Sequence, residues 1–436
     1  MGYTHRTIIS AVRNIAAPYN IEHIDVVGNV YKSNNMEIGA LRGFGATEGC
    51  LVIETMVDRA ARRLGLNPVE IRRRNWLEKD TIEHHFPGSL WKLVSDKVTL
   101  DETLAKILKA AGQKPEPSKG GKVGRGVAVG MPAFEIGNTP GYQGTGADIT
   151  MFQDGSLNVR VGFPEVGQGI TGVITRLASQ ALGISEDRIS IVLCDSHTTP
   201  KAGSLGFSRG TVNCGNALLS ACQQLKQKLE NYAKEYLKTD ADVKYKSGHF
   251  FIGDQLCLKF EEFMDFCYYK GRDLTASGRF EGPDLDDKRG VTFVAGLVDV
   301  EVDEDTGEVR IIRVINCHDV GKVIHEPSAR GQLVGSALMA LGFGRSEEFL
   351  MKNGRTITPT LAEYLIPTAK DIPDENIALF HECPGENCPV GAKGLGEHGV
   401  HAIGPALINA ITDATGVELT EIPITPERVL KALGRL

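Results

Sequence analysis

Hydrophobic residues recur every three or four positions in several stretches of the chain, a spacing typical of amphipathic helices. One stretch runs from residue 46 to a stop at Gly65, and the next begins with Asn67 as N-cap and Pro68 in the first helical position. Another helix is predicted between Pro405, in its first turn, and Gly416, at its end. Two further helices are predicted over residues 170–183 and 210–237.

Alternation of polar and apolar residues predicts two β-hairpins, over residues 147–162 and 295–317. The first turns at Asp154-Gly155 and the second near Thr306-Gly307. Each hairpin is followed by a glycine- and glutamine-containing stretch and then by an apolar helix. Two such units suit a large ligand shared between them, but hairpin followed by helix is also a common arrangement of α+β folds. The spacing leaves both interpretations open.

The best candidate for a linker is a polar stretch rich in proline and glycine that ends at Lys122. We therefore predict an α+β fold with β-hairpins and packed helices. Its domains are residues 1–112 and 123–436, joined by a linker over residues 113–122.

Composition excludes several classes of function. The chain has 436 residues, 42% of them hydrophobic, and a net charge of -7, which argues against binding of nucleic acid. No apolar run reaches the length of a membrane span, about 20 residues, and the first residues lack the pattern of a secretory signal. The nine cysteines are scattered and odd in number, which favours a reduced, cytoplasmic protein over a disulfide framework.

Three glycine-containing turns precede predicted helices and are candidates for binding an anion. They are Gly167, Gln168 and Gly169 in "EVGQG", Ser208 and Arg209 in "SRG", and Gln332 in "ARGQLVG". Backbone N–H groups at a helix start favour negative charge, and hydroxyl, amide and guanidinium groups donate to phosphate oxygens. Any one of these turns, taken alone, is more often an ordinary structural turn, but three of them in one chain favour a binding site.

Two charged residues stand in glycine-rich loops next to apolar helices. Glu397 lies in "GAKGLGE", where partial desolvation raises a carboxyl pKa toward that of a general base and Gly394 and Gly396 allow close approach of a ligand. A glutamate bonded to local N–H groups is the alternative. Arg42 in "RGFG" is suited either to stabilising a developing oxyanion or to pairing with a carboxylate. His398 and His401 lack a third metal ligand nearby, which favours surface or core positions.

These stretches, in this order, resemble the molybdenum-cofactor-binding subunit of the xanthine dehydrogenase and aldehyde oxidase family, the molybdenum hydroxylases. The resemblance rests on "RGFG", "GRGVAVG", "EVGQG", "SRGTVNCGNA" and "GAKGLGE", and it covers nearly the whole chain from about residue 30. It implies two molybdenum-cofactor-binding domains, the first only partial, because residues 1–41 lack the upstream glycine motif of full-length family subunits.

The resemblance also assigns roles to the candidate residues. It implies that Glu397 is the catalytic base and that Arg42 orients the substrate or stabilises negative charge, with Phe134 as an aromatic face of the substrate pocket. The residues implied to hold the molybdopterin and its phosphates are Gly167, Gln168, Gly169, Ser208, Arg209, Gln332, Gly394 and Gly396. Molybdenum is held through the pterin, with no direct protein ligand.

The implied reaction is hydroxylation of an electron-poor carbon in a purine or other N-heterocycle, with the oxygen derived from water. The implied cofactor is molybdopterin, in its cytosine dinucleotide form, and the implied partners are a 2Fe–2S subunit, an FAD subunit and a chain supplying the missing part of the first domain. Aldehyde oxidation needs the same base and is the nearest alternative. An inactive structural fragment is the alternative of a different class.

Overall fold

The computed structural model describes residues 4–34, 39–78, 92–94, 97–118, 120–135, 144–282 and 288–436. Its helices alternate with short strands, as the mixed pattern of hydrophobic periods predicts. The α-helices in these ranges are α1 Thr4–Asn14, α2 Ala46–Leu64, α3 Pro68–Asn75, α4 Leu100–Ala111, α5 Ile170–Leu182, α6 Gly215–Leu237, α7 Phe260–Tyr269, α8 Glu326–Arg345, α9 Ile403–Thr415 and α10 Pro426–Ala432.

Two four-stranded sheets form the framework, with order β16-β13-β12-β2 in one and β10-β4-β5-β6 in the other. Smaller sheets have the orders β1-β11-β3, β7-β8-β9 and β14-β15. The strands are β1 Lys92–Val94, β2 Lys122–Gly130, β3 Ala133–Glu135, β4 Thr145–Met151, β5 Leu157–Val161, β6 Ile189–Leu193, β7 Val243–Lys246, β8 His249–Ile252, β9 Gln255–Leu258, β10 Thr275–Phe280, β11 Lys288–Val291, β12 Val294–Val302, β13 Val309–Asp319, β14 Met351–Lys352, β15 Arg355–Thr356 and β16 Glu375–His381.

The sheet containing β13 is covered by helices on both faces. Every residue of β12 is buried, as expected for a central strand with an almost continuous apolar sequence. Leu104 and Ile107 of α4 belong to the core on one face, and Ile403 and Leu407 of α9 belong to the core on the other. Close approach of α9 requires glycine in β2, because a Cβ at Gly126 would lie 2.0 Å from the carbonyl oxygen of Ala406.

The second sheet packs against α5, α6 and α7 through a separate apolar core. Its strands β4 and β5 are the first predicted hairpin, and β12 and β13 are the second, so both hairpin predictions are confirmed. The predicted helices are confirmed as well, including Gly65 and Gly416 as left-handed C-caps and Asn67 as an N-cap that accepts from the N–H of Val69. The mixture of helices and sheets confirms the predicted α+β class.

The described residues of the predicted linker are bonded to the framework. Lys114 donates to Asp413 at the end of α9 at 2.6 Å, and Ser118 donates to Glu301 of β12 at 2.9 Å. Pro- and Gly-rich composition therefore marks an irregular segment here, but this segment is bonded to the second half of the chain. The domain boundaries at residues 112 and 123 stay a prediction.

A buried network of charged groups joins the N-terminal helices to the first sheet. Glu54 on α2 is fully buried and accepts from Arg72 Nε at 2.8 Å, from the backbone N–H of Val129 at 2.9 Å and from the hydroxyl of Tyr19. Because burial of an ion is costly unless its lone pairs are used, these three donors account for its place in the core. The network fixes α2 and α3 relative to β2.

We predict that Glu54→Gln strongly destabilises the chain, because Arg72 would keep a buried charge with only the more distant carboxylate of Asp58, at 3.7 Å, as counter-ion. The expected loss in the free energy of unfolding is about 3–5 kcal/mol, measured by urea denaturation. Glu70→Gln is the matched control, because Glu70 pairs with Arg74 at 2.9 Å on the surface. Its expected cost is below about 1 kcal/mol. Equal shifts in the urea midpoints of the Glu54 and Glu70 variants would contradict this account of the network.

Candidate functional site

Four of the motif segments meet just beyond the carboxyl end of β13. They enclose a cavity of about 220 Å³ between the turn before α5, the turn before α6, helix α8 and the loop before α9. Its polar lining comes from Gln168, Ser208, Thr211, Lys322, His325, Ser328, Gln332, Lys393 and Glu397. Distant parts of the sequence thus lie around one cavity.

Glu397 stands on the wall of this cavity and is half-buried. Its backbone N–H donates to the hydroxyl of Ser208 at 3.0 Å, so the loop before α9 is bonded to the turn before α6. Gly396 leaves open space beside it, because a Cβ there would have only Ser208 Oγ within 4 Å, at 3.8 Å. A ligand can therefore approach the backbone next to the carboxylate closely.

Arg42 lies directly behind the cavity wall and fixes two residues that form it. Its Nε donates to the carbonyl oxygen of Gly396 at 2.7 Å, and its Nη2 donates to Oε1 of Gln332 at 2.6 Å. Gln332 in turn donates to the carbonyl oxygen of Gly167 at 3.4 Å. Burial lowers the pKa of Arg42, and the negative charge of Glu397 partly offsets this effect. The two charged candidates from the sequence are therefore neighbours.

The backbone near these residues is strained. Phe44, Phe207 and Ser208 have positive φ angles of 53°, 63° and 50°, a region that side chains other than glycine rarely adopt. The rings of Phe44 and Phe207 lie 5.5 Å apart at a tilt of 52°, which joins the "RGFG" turn to the turn before α6. Strained residues are concentrated at functional sites more often than elsewhere, because the surrounding structure must hold them. The hydrophobic pattern of the chain contains no sign of this aromatic pair.

The "EVGQG" turn differs from the predicted anion cradle in one respect. Glu165 accepts from the backbone N–H groups of Gly167 at 3.0 Å, Gly169 at 2.8 Å and Thr171 at 3.1 Å. Although partial burial opposes ionisation, the N–H groups of Thr171 and Gly169 lower the pKa of the Glu165 carboxyl. The chain's own carboxylate thus uses the donors assigned to a phosphate. Gln168 lines the cavity, but its amide also bonds to Val166 and Pro164 within the turn.

Three other predicted site residues lie away from the cavity. Arg209 is fully buried, with its guanidinium 5.5 Å from the ring centre of Phe163, and therefore serves the interior. Phe134 is also buried and packs against Val212, so it is not a face of the described cavity. Residues 136–143, which follow it in the sequence, lie outside the described residues. A Cβ at Gly394 would lie 2.3 Å from the carbonyl oxygen of Ser208, so Gly394 permits packing of the two loops.

Two groups of buried polar residues were missed by the sequence interpretation. Lys393 pairs with Asp319 at 2.6 Å, and Asn316 donates to the carbonyl oxygen of Gly399 at 3.0 Å. A lysine between glycines was visible in the sequence, but its partner 74 residues away was not. His398 and His401 are core residues, one of the two positions favoured for them. Among the described residues, no group of three side chains is arranged to hold a metal ion.

Other absences concern membranes and disulfides. Within the described ranges, no helix is both long and apolar enough to span a bilayer. Within the same ranges, the cysteines form no disulfide.

Comparison with known proteins gives consistent similarities. A family profile described as molybdopterin cofactor-binding domain matches residues 102–373, and a second with that description matches residues 2–76. The chain is 30% identical over 440 residues to a probable xanthine dehydrogenase subunit of Bacillus subtilis (strain 168), covering 98% of this chain and 57% of that protein. The chain thus spans about half the length of the curated relatives it matches.

Solved structures show the same architecture. Quinoline 2-oxidoreductase from Pseudomonas putida 86 aligns with a TM-score of 0.79 and 25% identity, covering 91% of this chain and 53% of that one. The aldehyde oxidoreductase from Desulfovibrio desulfuricans ATCC 27774 aligns with a TM-score of 0.77 and 24% identity, covering 99% of this chain and 45% of that one. The second likeness shows a shared fold.

We predict that the chain loses stability as the pH falls below about 6.5, the ordinary pKa of histidine. Burial lowers the pKa of His318 to about 3 and that of His401 to about 4, and it lowers the pKa of His398 well below its usual value. The unfolded chain therefore binds more protons than the folded chain below pH 6.5. As the pH falls, each histidine lowers the free energy of unfolding by up to about 1.4 kcal/mol per pH unit, until the pH reaches its pKa in the folded chain.

Urea denaturation between pH 7 and pH 4.5 measures this dependence. His401→Asn should reduce the slope of stability against pH, because asparagine does not titrate. The variant should still fold, since its amide can replace the ring Nδ1–H that donates to the carbonyl oxygen of His398 at 3.0 Å. His249→Asn, at an exposed position, is the control and should leave the slope unchanged. A slope that His401→Asn leaves unaltered would assign the acid sensitivity to other groups.

Proposed function

The chain belongs to the molybdenum-cofactor-binding subunits of the xanthine dehydrogenase and aldehyde oxidase family, and we propose that it forms part of a molybdenum hydroxylase acting on a purine or other N-heterocycle. The reaction is oxidation of an electron-poor ring carbon with oxygen derived from water. The observation that carries the proposal is the placement of Glu397 on the cavity wall beside Arg42, which bonds to both Gly396 and Gln332.

The described cavity suits part of a pterin cofactor. Gln168, Ser208 and Gln332 supply amide and hydroxyl groups to its lining, and the backbone at Gly396 and Gly167 is open. We assign these residues to cofactor binding. The same role for Arg209 and Gly394 stays a prediction, since both are packed against other parts of the chain. When bound, molybdopterin supplies the molybdenum centre that accepts electrons and transfers the oxygen. We propose the cytosine dinucleotide form.

Glu397 is the proposed general base. A half-buried carboxylate on the cavity wall is placed to accept a proton from a group bound there. Its place next to Gly396, where a side chain is lacking, allows a reacting group to come within hydrogen-bond distance. With the cofactor bound, the carboxylate would accept a proton from the water that supplies the oxygen and would then pass it to solvent.

Arg42 is the proposed source of positive charge at the site. Its guanidinium is held by Gly396 and Gln332 and therefore needs little reorganisation during the reaction. A fixed positive charge near the reacting carbon stabilises negative charge that develops on a substrate heteroatom. Substrate orientation by Arg42 requires that one of its remaining N–H groups reach past the cavity wall.

The substrate class rests on two relatives. Quinoline is an N-heterocycle and xanthine is a purine, and both have electron-poor carbons next to ring nitrogens. Oxidation of an aldehyde is the second candidate, because the aldehyde oxidoreductase has the same fold and an aldehyde carbon is also electron-poor. An assay across purines, quinoline, nicotinate and aldehydes distinguishes the two.

The proposed enzyme works within a hetero-oligomer in the cytoplasm. Two relatives are named as subunits of dehydrogenases, which supports the proposal that this chain has partner chains. We assign the 2Fe–2S and FAD centres to those partners. An inactive structural fragment is the competing interpretation, and purification with native partners followed by metal analysis tests it.

We predict that Glu397→Gln, in the complex purified with its native partners, keeps molybdenum but loses turnover by about 100-fold or more, because an amide cannot accept the proton. Molybdenum analysis and an electron-acceptor assay measure the two effects. Glu427→Gln, in an exposed pair with Lys431, is the control and should be active. Near-normal turnover of the Glu397 variant would remove it as the base.

We predict that Arg42→Met lowers turnover by about 100-fold through loss of one fixed charge, while molybdenum content is retained. The control is Arg63→Met, which removes an arginine with a side chain 75% exposed. Loss of cofactor from the Arg42 variant, with normal content in the control, would instead assign Arg42 to cofactor binding.

A further inference from the structure

The loop that carries Glu397 is intrinsically flexible. Four of the nine residues from Gly391 to Gly399 are glycine. Glycine has the widest conformational freedom, so a carboxylate on such a loop needs anchors to keep one position. The required anchors are visible on both sides of Glu397.

We propose that Lys393 and Asn316 are positioning residues that attach the loop to β13 and thereby fix Glu397. The inference rests on the proposed role of Glu397 as the base. The anchored positions, Lys393 and Gly399, bracket Glu397 in the sequence, and both are held by residues of the same strand.

The first anchor is a buried ion pair. Lys393 Nζ lies 2.6 Å from Oδ2 of Asp319, and their side chains are 6% and 0% exposed. Asp319 also accepts from the hydroxyl of Thr99 and the N–H of Gly321, both at 3.1 Å. The backbone N–H of Lys393 donates to the carbonyl oxygen of Val320 at 3.0 Å. Backbone and side chain of one residue are therefore both attached to the end of β13.

The second anchor is a chain of hydrogen bonds between neutral side chains. Asn316 Nδ2 donates to the carbonyl oxygen of Gly399 at 3.0 Å, and Asn316 Oδ1 accepts from Nε2 of His318 at 2.7 Å. Asn316 and His318 are 1% and 0% exposed. His318 thus sets the orientation of the amide, which leaves its N–H group directed at the loop.

The two anchors act on opposite sides of the base, and the bond from the N–H of Glu397 to Ser208 holds the middle. Gly399 fits against Ser336 of α8 with no room for a side chain, so the loop cannot shift toward the helix. Release of either anchor would allow Glu397 to move by a fraction of an ångström or more. Displacement of a catalytic group on that scale can cost about 100-fold in rate.

Hydrogen–deuterium exchange of the whole chain tests the anchors without turnover. Lys393→Met and Asn316→Leu should each speed exchange of amides 394–400 by about tenfold, while Lys431→Met, in an exposed pair, should leave them unchanged. If Lys393→Met fails to fold because Asp319 remains charged, Lys393→Met with Asp319→Asn removes both charges. Unchanged exchange in the folded variants would overturn the proposal.

A double-mutant cycle in the purified complex separates positioning from general structural damage. Lys393→Met should lower kcat by about 100-fold with Glu397 present, and by less than about twofold beside Glu397→Gln, since no base remains to be displaced. Equal effects in both backgrounds would overturn the positioning role. Near-normal kcat of Glu397→Gln alone would instead refute the proposed base, and the exchange result would then stand as evidence for loop anchoring only.

Discussion

One guanidinium joins the segments on which the site depends. Arg42, from the loop before α2, donates to the carbonyl oxygen of Gly396 and to Gln332 of α8. Gln332 continues the connection to Gly167 in the turn before α5. Because Arg42 and Gly396 are 354 positions apart, their contact requires that the N-terminal helices be held firmly against the rest of the chain. The buried Glu54–Arg72 network supplies that attachment through β2.

The central sheet gives the site its rigid base. Strand β13 is buried almost throughout and is paired on both sides, and the loops of the site gather beyond its end. Functional loops on a rigid scaffold are a general solution, because the loops can adopt unusual backbone geometry while the sheet maintains the fold. Here the unusual geometry includes the positive φ angles of Phe44, Phe207 and Ser208. The ion pair of Lys393 with Asp319 attaches the glycine-rich loop to the end of this rigid strand.

The elements of the fold were predictable where local chemistry determines them. Asp154-Gly155 specifies a hairpin turn, and Asn67 with Pro68 specifies a helix start, without help from distant residues. Glu397, Arg42 and Gln332 were placed in one site only through the resemblance of ordered motifs. Their hydrogen bonds join positions far apart, which periodicity cannot reveal.

Two of the predicted anion-binding groups have other partners within the chain. Glu165 lies two residues before Gly167, yet its carboxylate takes the donors that the sequence interpretation reserved for phosphate. Arg209 follows Ser208 directly, but its side chain is buried in the core, whereas the Ser208 hydroxyl accepts from the N–H of Glu397 in the loop before α9. In both cases the residue types suit an anion site, but the direction of the side chain gives the group a partner within the chain. Such directions depend on packing across the fold.

The central claim is that Glu397 stands beside the molybdenum centre. The most direct test is anomalous diffraction at the molybdenum absorption edge from crystals of the complex purified with its native partners. The account predicts a single strong peak in the cavity lined by Gln168, Gln332 and Glu397, adjacent to the carboxylate. A peak elsewhere in the complex, with this cavity holding no metal, would contradict it.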